Sequence, residues 1–454
     1  MQSIPSNLFG KYKDSIIEFT EKLGEYSLSA RNYKKKNAHK LPANLVVKIL
    51  LTSMQRSIQS ELINIKYDED INRPYSHYVS KSAFCQARQK IDWEFFKDLC
   101  RFLATQAEKL CPNEKFFKNY RLVAVDGTTI ALPFTKAIAE EFKTVKNQYN
   151  SQCVPRCSLL MDVLNGWCYN AVLGTSICSE KAQFYEQLDF IPKNSILILD
   201  RLYPSCELIY QLNKRDIKFV MRAKNTFNLH VKKVSESNDR DVVVTHRITE
   251  TAVTALKKRE LTTADKKKIT YKAEVTYRIK KVTLPNNEEE ILLTNLYDGF
   301  TEEEFRTIYN YRWGIETSID VLKNKLAMEY LSGYLPHSIR QDFYTAICQY
   351  NVAKFLHQLA DKELQATPKE HNPRRNAKEY KKQANMALAS SLALKALAMQ
   401  IYNPSGVENF INLSIHLLCR FPEPVRPHRQ YPRKKKVHKS RGRIRYDTNF
   451  KQTG

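Results

Sequence analysis

Apolar residues recur at helical spacing through the first part of the chain. The stretches "LPANLVVKILLTSMQRSI" and "WEFFKDLCRFLATQAEKL" place apolar side chains three or four residues apart, which is typical of amphipathic helices. We therefore predict a separate helical domain over residues 1–115. Within it, "SKSAFCQARQKI" carries Lys81, Arg88 and Lys90 on a predicted helix, where they either contact phosphates or form a solvated helix face.

From residue 116 the pattern changes to strands. "RLVAVDGTT" is a short apolar run that reaches Asp126, and "SILILD" is a buried strand that ends at Asp200. Between them, Asn165-Gly166 separates two β-rich runs and predicts a hairpin. Helices are predicted over about 179–190 and 204–214, followed by the strand "IKFVMRA".

The second half of the chain has a different pattern. Residues 225–295 contain "ITYKAEVTYRIKK", whose strict alternation predicts a half-exposed antiparallel strand, so we predict a β-rich insertion there. Thr301 and Glu304 then form a capping box that opens a long helix to about residue 327. A C-terminal helical region is predicted over 359–424, and a disordered basic tail over 425–454.

The order of these elements predicts a mixed α/β fold. Three meandering strands followed by alternating helices and strands pack as a mixed sheet with helices on both faces. The core of this fold is expected to comprise residues 116–224 and 296–358, interrupted by the insertion.

The charge of the chain indicates what kind of partner it binds. The chain has 73 Lys plus Arg against 48 Asp plus Glu, a net charge of +25 over 454 residues. From residue 425 onward, eleven Lys and Arg residues accompany one Asp, so the tail supplies 11 − 1 = +10 of that charge. Such an excess favours a polyanionic partner. A membrane surface is the competing interpretation, but no basic amphipathic helix supports it.

No apolar run is long enough to span a bilayer, and the N-terminus has no signal-peptide pattern, so we expect a cytosolic protein. The ten cysteines are scattered, which favours reduced, packed thiols. "CVPRC" at 153–157 offers two zinc ligands at most, because nothing nearby completes a His/Cys set.

Four functional groups lie on one stripe of the predicted long helix. In "YNYRWGIETSIDVLK", Tyr309, Arg312, Glu316 and Lys323 fall within about 60° of the helical wheel. This stripe borders an apolar one formed by Ile308, Ile315, Ile319, Leu322 and Leu326. A surface ion-pair ladder explains the stripe equally well when it is taken alone.

Two aspartates make an active site a better explanation of this stripe than an ion-pair ladder. If Asp126 and Asp200 end neighbouring strands and the helix of Glu316 crosses those ends, three carboxylates converge. Carboxylates this close repel one another and stay ionised only beside a cation. Oxygen ligands that leave room for water and phosphate suit Mg²⁺ or Mn²⁺.

At these residues the sequence resembles the insertion-sequence transposases of the DDE type, in the branch with a Tyr-x2-Arg-x3-Glu-x6-Lys signature. Tyr309, Arg312, Glu316 and Lys323 match that signature without a gap. "VAVDGTT" matches the first acidic motif, and "LILDRLYPS" matches the second with Arg201 and Tyr203 in the family's places. The resemblance covers roughly residues 116–350.

The resemblance implies a ribonuclease H-like core and a function. It implies that Asp126, Asp200 and Glu316 are the catalytic residues and hold two Mg²⁺ or Mn²⁺ ions per active site, for phosphodiester cleavage and strand transfer at the terminal inverted repeats of an element. DNA contacts are implied for the remaining motif residues, namely Tyr309, Arg312, Trp313, Lys323, Arg201 and Tyr203. The N-terminal helical domain is expected to bind DNA as well.

The resemblance also bears on partners and location. It implies double-stranded DNA as the partner, a homodimer in a synaptic complex, and a cytoplasmic, nucleoid-associated protein. Some relatives hold a flipped base with a tryptophan of the insertion, whereas residues 225–295 contain no tryptophan and only Phe227, Tyr271 and Tyr277 as aromatics of comparable size.

Two other functions remain as alternatives. A DNA-binding repressor derived from a transposase is the first, although all three signature acids are present. A basic RNA-binding or ribosome-associated protein is the second, which the charge and the tail favour but which leaves the order Asp, Asp, Glu without a role.

Overall fold

The structure is a computed structural model that describes residues 4–28, 41–52, 57–67, 79–111, 114–146, 151–251, 253–254, 273–285, 287–366 and 381–425. The basic tail from residue 426 and the middle of the insertion, 255–272, therefore lie outside the described residues. Residues 68–78 and 367–380 also lie outside the described residues.

A central eight-stranded sheet organises the chain. Its strand order is β5-β4-β1-β6-β7-β10-β9-β8, with two small additional strand pairs, β2-β3 and β11-β12. The pairs β1-β6 and β6-β7 are parallel and the other neighbours are antiparallel, so the predicted mixed α/β fold is confirmed. The strands are Arg121–Thr129 (β1), Val145–Lys146 (β2), Ser151–Gln152 (β3), Arg156–Asp162 (β4), Cys168–Leu173 (β5), Ser195–Leu199 (β6), Lys218–Ala223 (β7), Asp241–Arg247 (β8), Glu274–Thr283 (β9), Glu289–Thr294 (β10), Lys382–Gln383 (β11) and Glu423–Pro424 (β12).

The predicted hairpin joins β4 to β5. Asp162, at the end of β4, accepts hydrogen bonds from the backbone N–H groups of Leu164 and Asn165, both at 2.8 Å. Gly166 adopts a φ of 83°, a left-handed conformation that glycine enters without a steric penalty. The turn is therefore specified by the Asn-Gly pair together with the aspartate that precedes it.

Residues 225–295 extend the same sheet. Strand β10 pairs with β7, and β9 and β8 follow outward. The predicted alternation holds in β9, because Val275, Tyr277 and Ile279 are buried while the residues between them are partly exposed. The strands of the predicted insertion thus continue the central sheet at its β7 side.

Helices from both ends of the chain pack around one long helix. The long helix α12 contacts α2 and α5 from the N-terminal region and α13 and α14 from the C-terminal region, so the two regions share a core. The helices are Ile4–Thr20 (α1), Ala43–Leu51 (α2), Ile58–Tyr67 (α3), Lys81–Arg88 (α4), Glu94–Leu110 (α5), Lys136–Phe142 (α6), Glu180–Tyr185 (α7), Cys206–Lys214 (α8), Leu229–Glu236 (α9), Glu302–Asn310 (α10), Trp313–Asn324 (α11), Pro336–Ala366 (α12), Met386–Tyr402 (α13) and Val407–Arg420 (α14). Within the described residues, no helix is both long and apolar enough to cross a membrane.

Arg88 lies in this helical core, and neither prediction for it was right. Its guanidinium is 1% exposed and donates hydrogen bonds to Gln341 and Asp342 of α12, at 2.8 and 2.7 Å. A buried guanidinium is stable only with such partners, because its desolvation must be offset by good hydrogen bonds. Arg88 therefore ties α4 to α12 and is not available to bind phosphate.

Candidate active site

The first two predicted acids lie side by side. Strand β1 runs parallel to β6, and their register pairs Ala124 with Ile198. Asp126, two residues further along β1, and Asp200, the residue after β6, therefore lie at matching positions on neighbouring strands. The predicted proximity agrees with this register, but β1 continues to Thr129, so Asp126 lies within its strand and only Asp200 follows the end of one.

Each aspartate accepts a hydrogen bond from the backbone that follows it. Oδ1 of Asp126 accepts from the N–H of Gly127 at 2.9 Å, and Oδ1 of Asp200 accepts from the N–H of Leu202 at 2.7 Å. Both side chains are partly buried. Neither forms an ion pair with any described Lys, Arg or His, although Arg312 lies close enough to act on the charge of Asp126.

The predicted single helix over 301–327 is two helices. The capping box of Thr301 and Glu304 opens α10 as predicted, but α10 ends at Asn310 and α11 begins at Trp313. At the junction, the N–H groups of Arg312 and Gly314 donate to the carbonyl oxygens three residues earlier, which tightens the chain into a turn. The reason lies partly in Gly314, whose missing side chain lets this turn approach Val163 closely.

Despite the turn, the apolar stripe holds. Ile308, Ile315, Leu322 and Leu326 are buried, and Ile319 packs against the core while partly exposed. Helix α11 packs on β1, the strand of Asp126. The break therefore changes the angular positions of residues in α10 relative to those in α11. Glu316 nevertheless remains on the helix that packs on β1.

Arg312 connects three residues of the signature. Its Nη1 lies 2.7 Å from Oε1 of Glu316, and its guanidinium lies 4.7 Å from the ring centroid of Trp313 and 6.0 Å from that of Tyr309. Its Nε is buried and has no hydrogen-bond partner. Trp313 is 50% exposed, which leaves one of its faces open to a ligand.

Lys323 lies at the far end of α11. Its Nζ donates to the carbonyl oxygen of Thr129 at 2.6 Å and forms an ion pair with Glu329 at 3.1 Å. This lysine thus fastens α11 to the end of β1. Arg201, by contrast, is exposed directly after Asp200.

Tyr203 does not lie where a DNA contact requires it. Its side chain is fully buried, and its hydroxyl donates to Oε1 of Glu180 at 2.7 Å. The prediction that Tyr203 contacts DNA does not match this placement, because a buried phenol whose proton is already donated cannot reach a phosphate.

Glu180 is a fourth acid at this site, and the sequence analysis missed it. It begins helix α7 after the cap residue Ser179, where an acidic residue usually serves only helix stability. In the structure its carboxyl group lies against Gly127, since a Cβ atom added there would be 2.8 Å from the Glu180 Cδ. Nothing in the local sequence separates such a glutamate from an ordinary first-turn acid.

The surroundings raise the pKa of Asp126 to about 6. Burial is the largest cause, and the charges of Glu180 and Glu316 add to it, while the Gly127 N–H and Arg312 oppose it. The pKa of Tyr203 is also raised, by burial and then by Glu180. Five acidic or basic groups are thus linked electrostatically beside β1 and β6, namely Asp126, Glu180, Tyr203, Arg312 and Glu316.

These acids do not form a closed metal site as they stand. Among the described residues, no three His, Cys, Asp or Glu side chains are grouped to hold a metal ion. Asp200 is turned to a backbone N–H and Glu316 to Arg312, as expected of carboxylates that repel one another. The convergence of Asp126, Asp200 and Glu316 on one ion stays a prediction.

The cysteines lie as expected. All ten are free thiols, and Cys153 and Cys157 donate to the carbonyl oxygens of Lys143 and Thr128. Both thiols are fully buried, which agrees with the packing interpretation of "CVPRC".

We expect Asp126→Asn to stabilise the metal-free protein near neutral pH. Because the folded-state pKa lies above the ordinary value of about 3.9, ionisation of Asp126 destabilises the fold as the pH rises from about 4 through 6. The shift corresponds to about 1–3 kcal/mol, since the carboxylate keeps some contact with solvent. In denaturant unfolding experiments with EDTA, the variant should therefore have the higher free energy of unfolding at pH 7.5. At pH 4 the two proteins should have the same free energy of unfolding. Equal stability at both pH values would contradict the raised pKa.

The fold and the acids at its strand ends define a class, that of transposases with a DDE domain. The model of that family, described as "Transposase DDE domain", matches residues 118–352, just over half of the chain, and the chain belongs to this family. The chain is also 25% identical over 181 residues to the Escherichia coli (strain K12) protein described as "Putative transposase InsZ". That match covers 39% of this chain and 59% of the relative's length.

One solved structure is similar over most of the chain. It is the piggyBac transposase synaptic complex with hairpin DNA, determined by cryo-electron microscopy. The TM-score is 0.42 at 9% sequence identity, over 88% of this chain and 82% of that one.

Proposed function

We propose that this protein is the transposase of an insertion sequence. It binds the terminal inverted repeats of its element, cleaves phosphodiesters at the element ends and joins those ends to target DNA. The observation that carries the proposal is the pair Asp126 and Asp200 at matching positions on the adjacent parallel strands β1 and β6, beside the helix of Glu316, in a chain of the DDE family.

The arrangement of five strands of the central sheet, in the order β5-β4-β1-β6-β7, supports a ribonuclease H-like core. Strands β5, β4 and β1 are antiparallel neighbours, and β6 and β7 follow in parallel on the other side of β1. In this proposal residues 116–224 and 296–358 form the core, residues 225–295 are its insertion, and residues 1–115 contribute to DNA binding.

The acids present fit a hard divalent cation. They offer carboxylate oxygens, the ligands that Mg²⁺ and Mn²⁺ prefer, and among the described residues neither Asp126 nor Asp200 forms an ion pair. Asp126, Asp200 and Glu316 would hold two such ions. When bound, the ions supply an activated hydroxyl nucleophile and stabilise the leaving oxygen of an in-line displacement.

Arg312 would change partners when DNA binds. Its ion pair with Glu316 occupies both groups in the free protein, at 2.7 Å. Phosphate competes well for a guanidinium, because the planar fork binds two oxygens at once, and the unpartnered Nε adds a donor. This exchange would free Glu316 for the cation while Arg312 holds the cleaved strand.

The remaining motif residues would assist in binding DNA or in positioning the helix. Trp313 is half exposed beside Arg312 and would stack on a base, and Tyr309 lies partly buried next to the same guanidinium. Arg201 is exposed and would contact a phosphate. Lys323 would bind phosphate only after leaving Glu329, so we assign it first to holding α11 on β1. This set corresponds to the Tyr-Arg-Glu-Lys branch of the family.

The same proposal covers partners and location. Two element ends must be held together, so we propose a homodimer in the synaptic complex with double-stranded DNA. The net charge of +25 supports a polyanionic partner. We place the protein in the cytoplasm, associated with the nucleoid.

The experiment uses the DNA that flanks the gene. Purified full-length protein is incubated with duplexes that carry the terminal repeats found there, with Mg²⁺ or with EDTA. We expect cleavage that leaves a 3′-hydroxyl at the repeat boundary only when Mg²⁺ is present. Tight, specific binding without cleavage in either Mg²⁺ or Mn²⁺ would favour the repressor. Equal affinity for unrelated RNA and for these duplexes would favour the RNA-binding alternative.

A further inference from the structure

We propose that Glu180 is a fourth carboxylate of the divalent-cation site, held beside Asp126 by the buried hydroxyl of Tyr203. This inference rests on the proposed function, because it concerns the same site. It adds a residue that lies outside the Asp126, Asp200 and Glu316 set and outside the Tyr309 to Lys323 signature.

The first observation is the close approach of Glu180 to β1. A Cβ atom at Gly127 would lie 2.8 Å from the Glu180 Cδ, closer than real Cβ atoms are found, and 3.1 Å from its Oε1. The carboxyl group of Glu180 therefore occupies the space that any other residue at position 127 would fill. It lies against the main chain immediately after Asp126.

The second observation is the way in which Tyr203 fixes this carboxyl group. The ring of Tyr203 is fully buried and packs edge-to-face on Phe184, with the ring centroids 5.4 Å apart. Its backbone N–H donates to the carbonyl oxygen of Asp200, and its hydroxyl donates to Oε1 of Glu180 at 2.7 Å. A rigid buried ring thus connects the second aspartate to Glu180, which restricts the glutamate to one position.

The third observation is an uncompensated charge. Within the described residues, Glu180 forms no ion pair, and the Tyr203 hydroxyl is the one hydrogen-bond donor to its carboxylate. Its Oε2 is therefore left for another ligand. Two partly buried carboxylates, Glu180 and Asp126, repel each other unless a cation lies near both. A site that only needed to anchor Tyr203 could use a neutral acceptor.

The test measures cation binding without any DNA reaction. Free Mn²⁺ is followed by electron paramagnetic resonance during titration of the full-length protein, which gives an affinity independent of activity. Glu180→Gln keeps the size and an oxygen that accepts from Tyr203 but removes the charge. Tyr203→Phe keeps the ring and removes the hydroxyl. Glu186→Gln, on an exposed residue just after helix α7, is the matched control for loss of one negative charge.

We expect about a tenfold weaker Mn²⁺ affinity for Glu180→Gln and for Tyr203→Phe, and an unchanged affinity for Glu186→Gln. Gly127→Ala should give a similar loss, because the new methyl group displaces the end of the Glu180 side chain. The melting temperature, recorded in EDTA, reports separately on folding. A lower melting temperature with unchanged Mn²⁺ affinity would overturn the proposal and leave Glu180 a purely structural partner of Tyr203.

Asp126→Asn separates this inference from the proposed function. If Asp126→Asn weakens Mn²⁺ binding while Glu180→Gln does not, the role of Glu180 is refuted and the proposed site stands. If Asp126→Asn also leaves Mn²⁺ binding unchanged, the cation site itself is refuted and the role of Glu180 with it.

Discussion

Replacing Glu316 with glutamine is expected to lower the rate of DNA end cleavage about 10³-fold and to leave DNA affinity within about twofold. In the proposed site, the charge of this carboxylate would act on the cation and hence on the transition state, where such stabilisation is worth several kcal/mol; about 4 kcal/mol corresponds to that factor. Glutamine keeps the length of the side chain, so helix α11 and its packing on β1 are retained. Single-turnover cleavage of a terminal-repeat duplex in Mg²⁺ measures the rate, and a filter-binding titration measures the affinity.

Asp320→Asn is the control for this prediction. Asp320 lies one helical turn after Glu316 on the same helix, is exposed, and accepts a hydrogen bond from Asn324. Its change removes the same charge from the same helix, and we expect cleavage within about twofold of the unchanged protein. Cleavage at the normal rate by Glu316→Gln would exclude Glu316 from the active site. An equal loss of cleavage rate in both variants would show that the effect comes from the overall charge of helix α11.

The positions of Asp126 and Asp200 were predictable because each follows an apolar run and parallel strands end at one edge of a sheet. Apolar runs placed β6 and the start of β1, and the Asn-Gly turn placed the hairpin, whereas β1 continues past Asp126 to Thr129. The apolar stripe of α10 and α11 followed from helical spacing in the same way. These features depend on local patterns, which a sequence carries directly.

The errors concern contacts that form between distant parts of the chain. The turn at Arg312 depends on the approach of Gly314 to Val163, far away in sequence. The burial of Tyr203 and its bond to Glu180 likewise join the turn after β6 to helix α7. A spacing pattern cannot report such contacts, because any polar residue at the end of an element fits it equally well.

Arg88 is the clearest case of this kind, and it leads to the second large effect. We expect Arg88→Met to reduce the free energy of unfolding by about 3–5 kcal/mol, because removing one partner leaves the Asp342 carboxylate buried without its cation. Methionine keeps most of the apolar stem, so the loss reports on the charge and the hydrogen bonds more than on a cavity. For a chain of this length, the melting temperature should fall by roughly 3–5 °C.

The double variant Arg88→Met with Asp342→Asn tests the cause. If the uncompensated Asp342 charge accounts for the loss, neutralising it should restore part of the stability, so the double variant should melt above Arg88→Met alone. Because Asp342 also accepts from the N–H and hydroxyl of Ser332, the recovery should be partial. A double variant less stable than both single variants would instead assign the effect to lost hydrogen bonds between α4 and α12. If Arg88 has a structural role, Arg88→Met should lower the melting temperature and leave the DNA affinity unchanged. An unchanged melting temperature together with a weaker DNA affinity would instead indicate that Arg88 contacts phosphate.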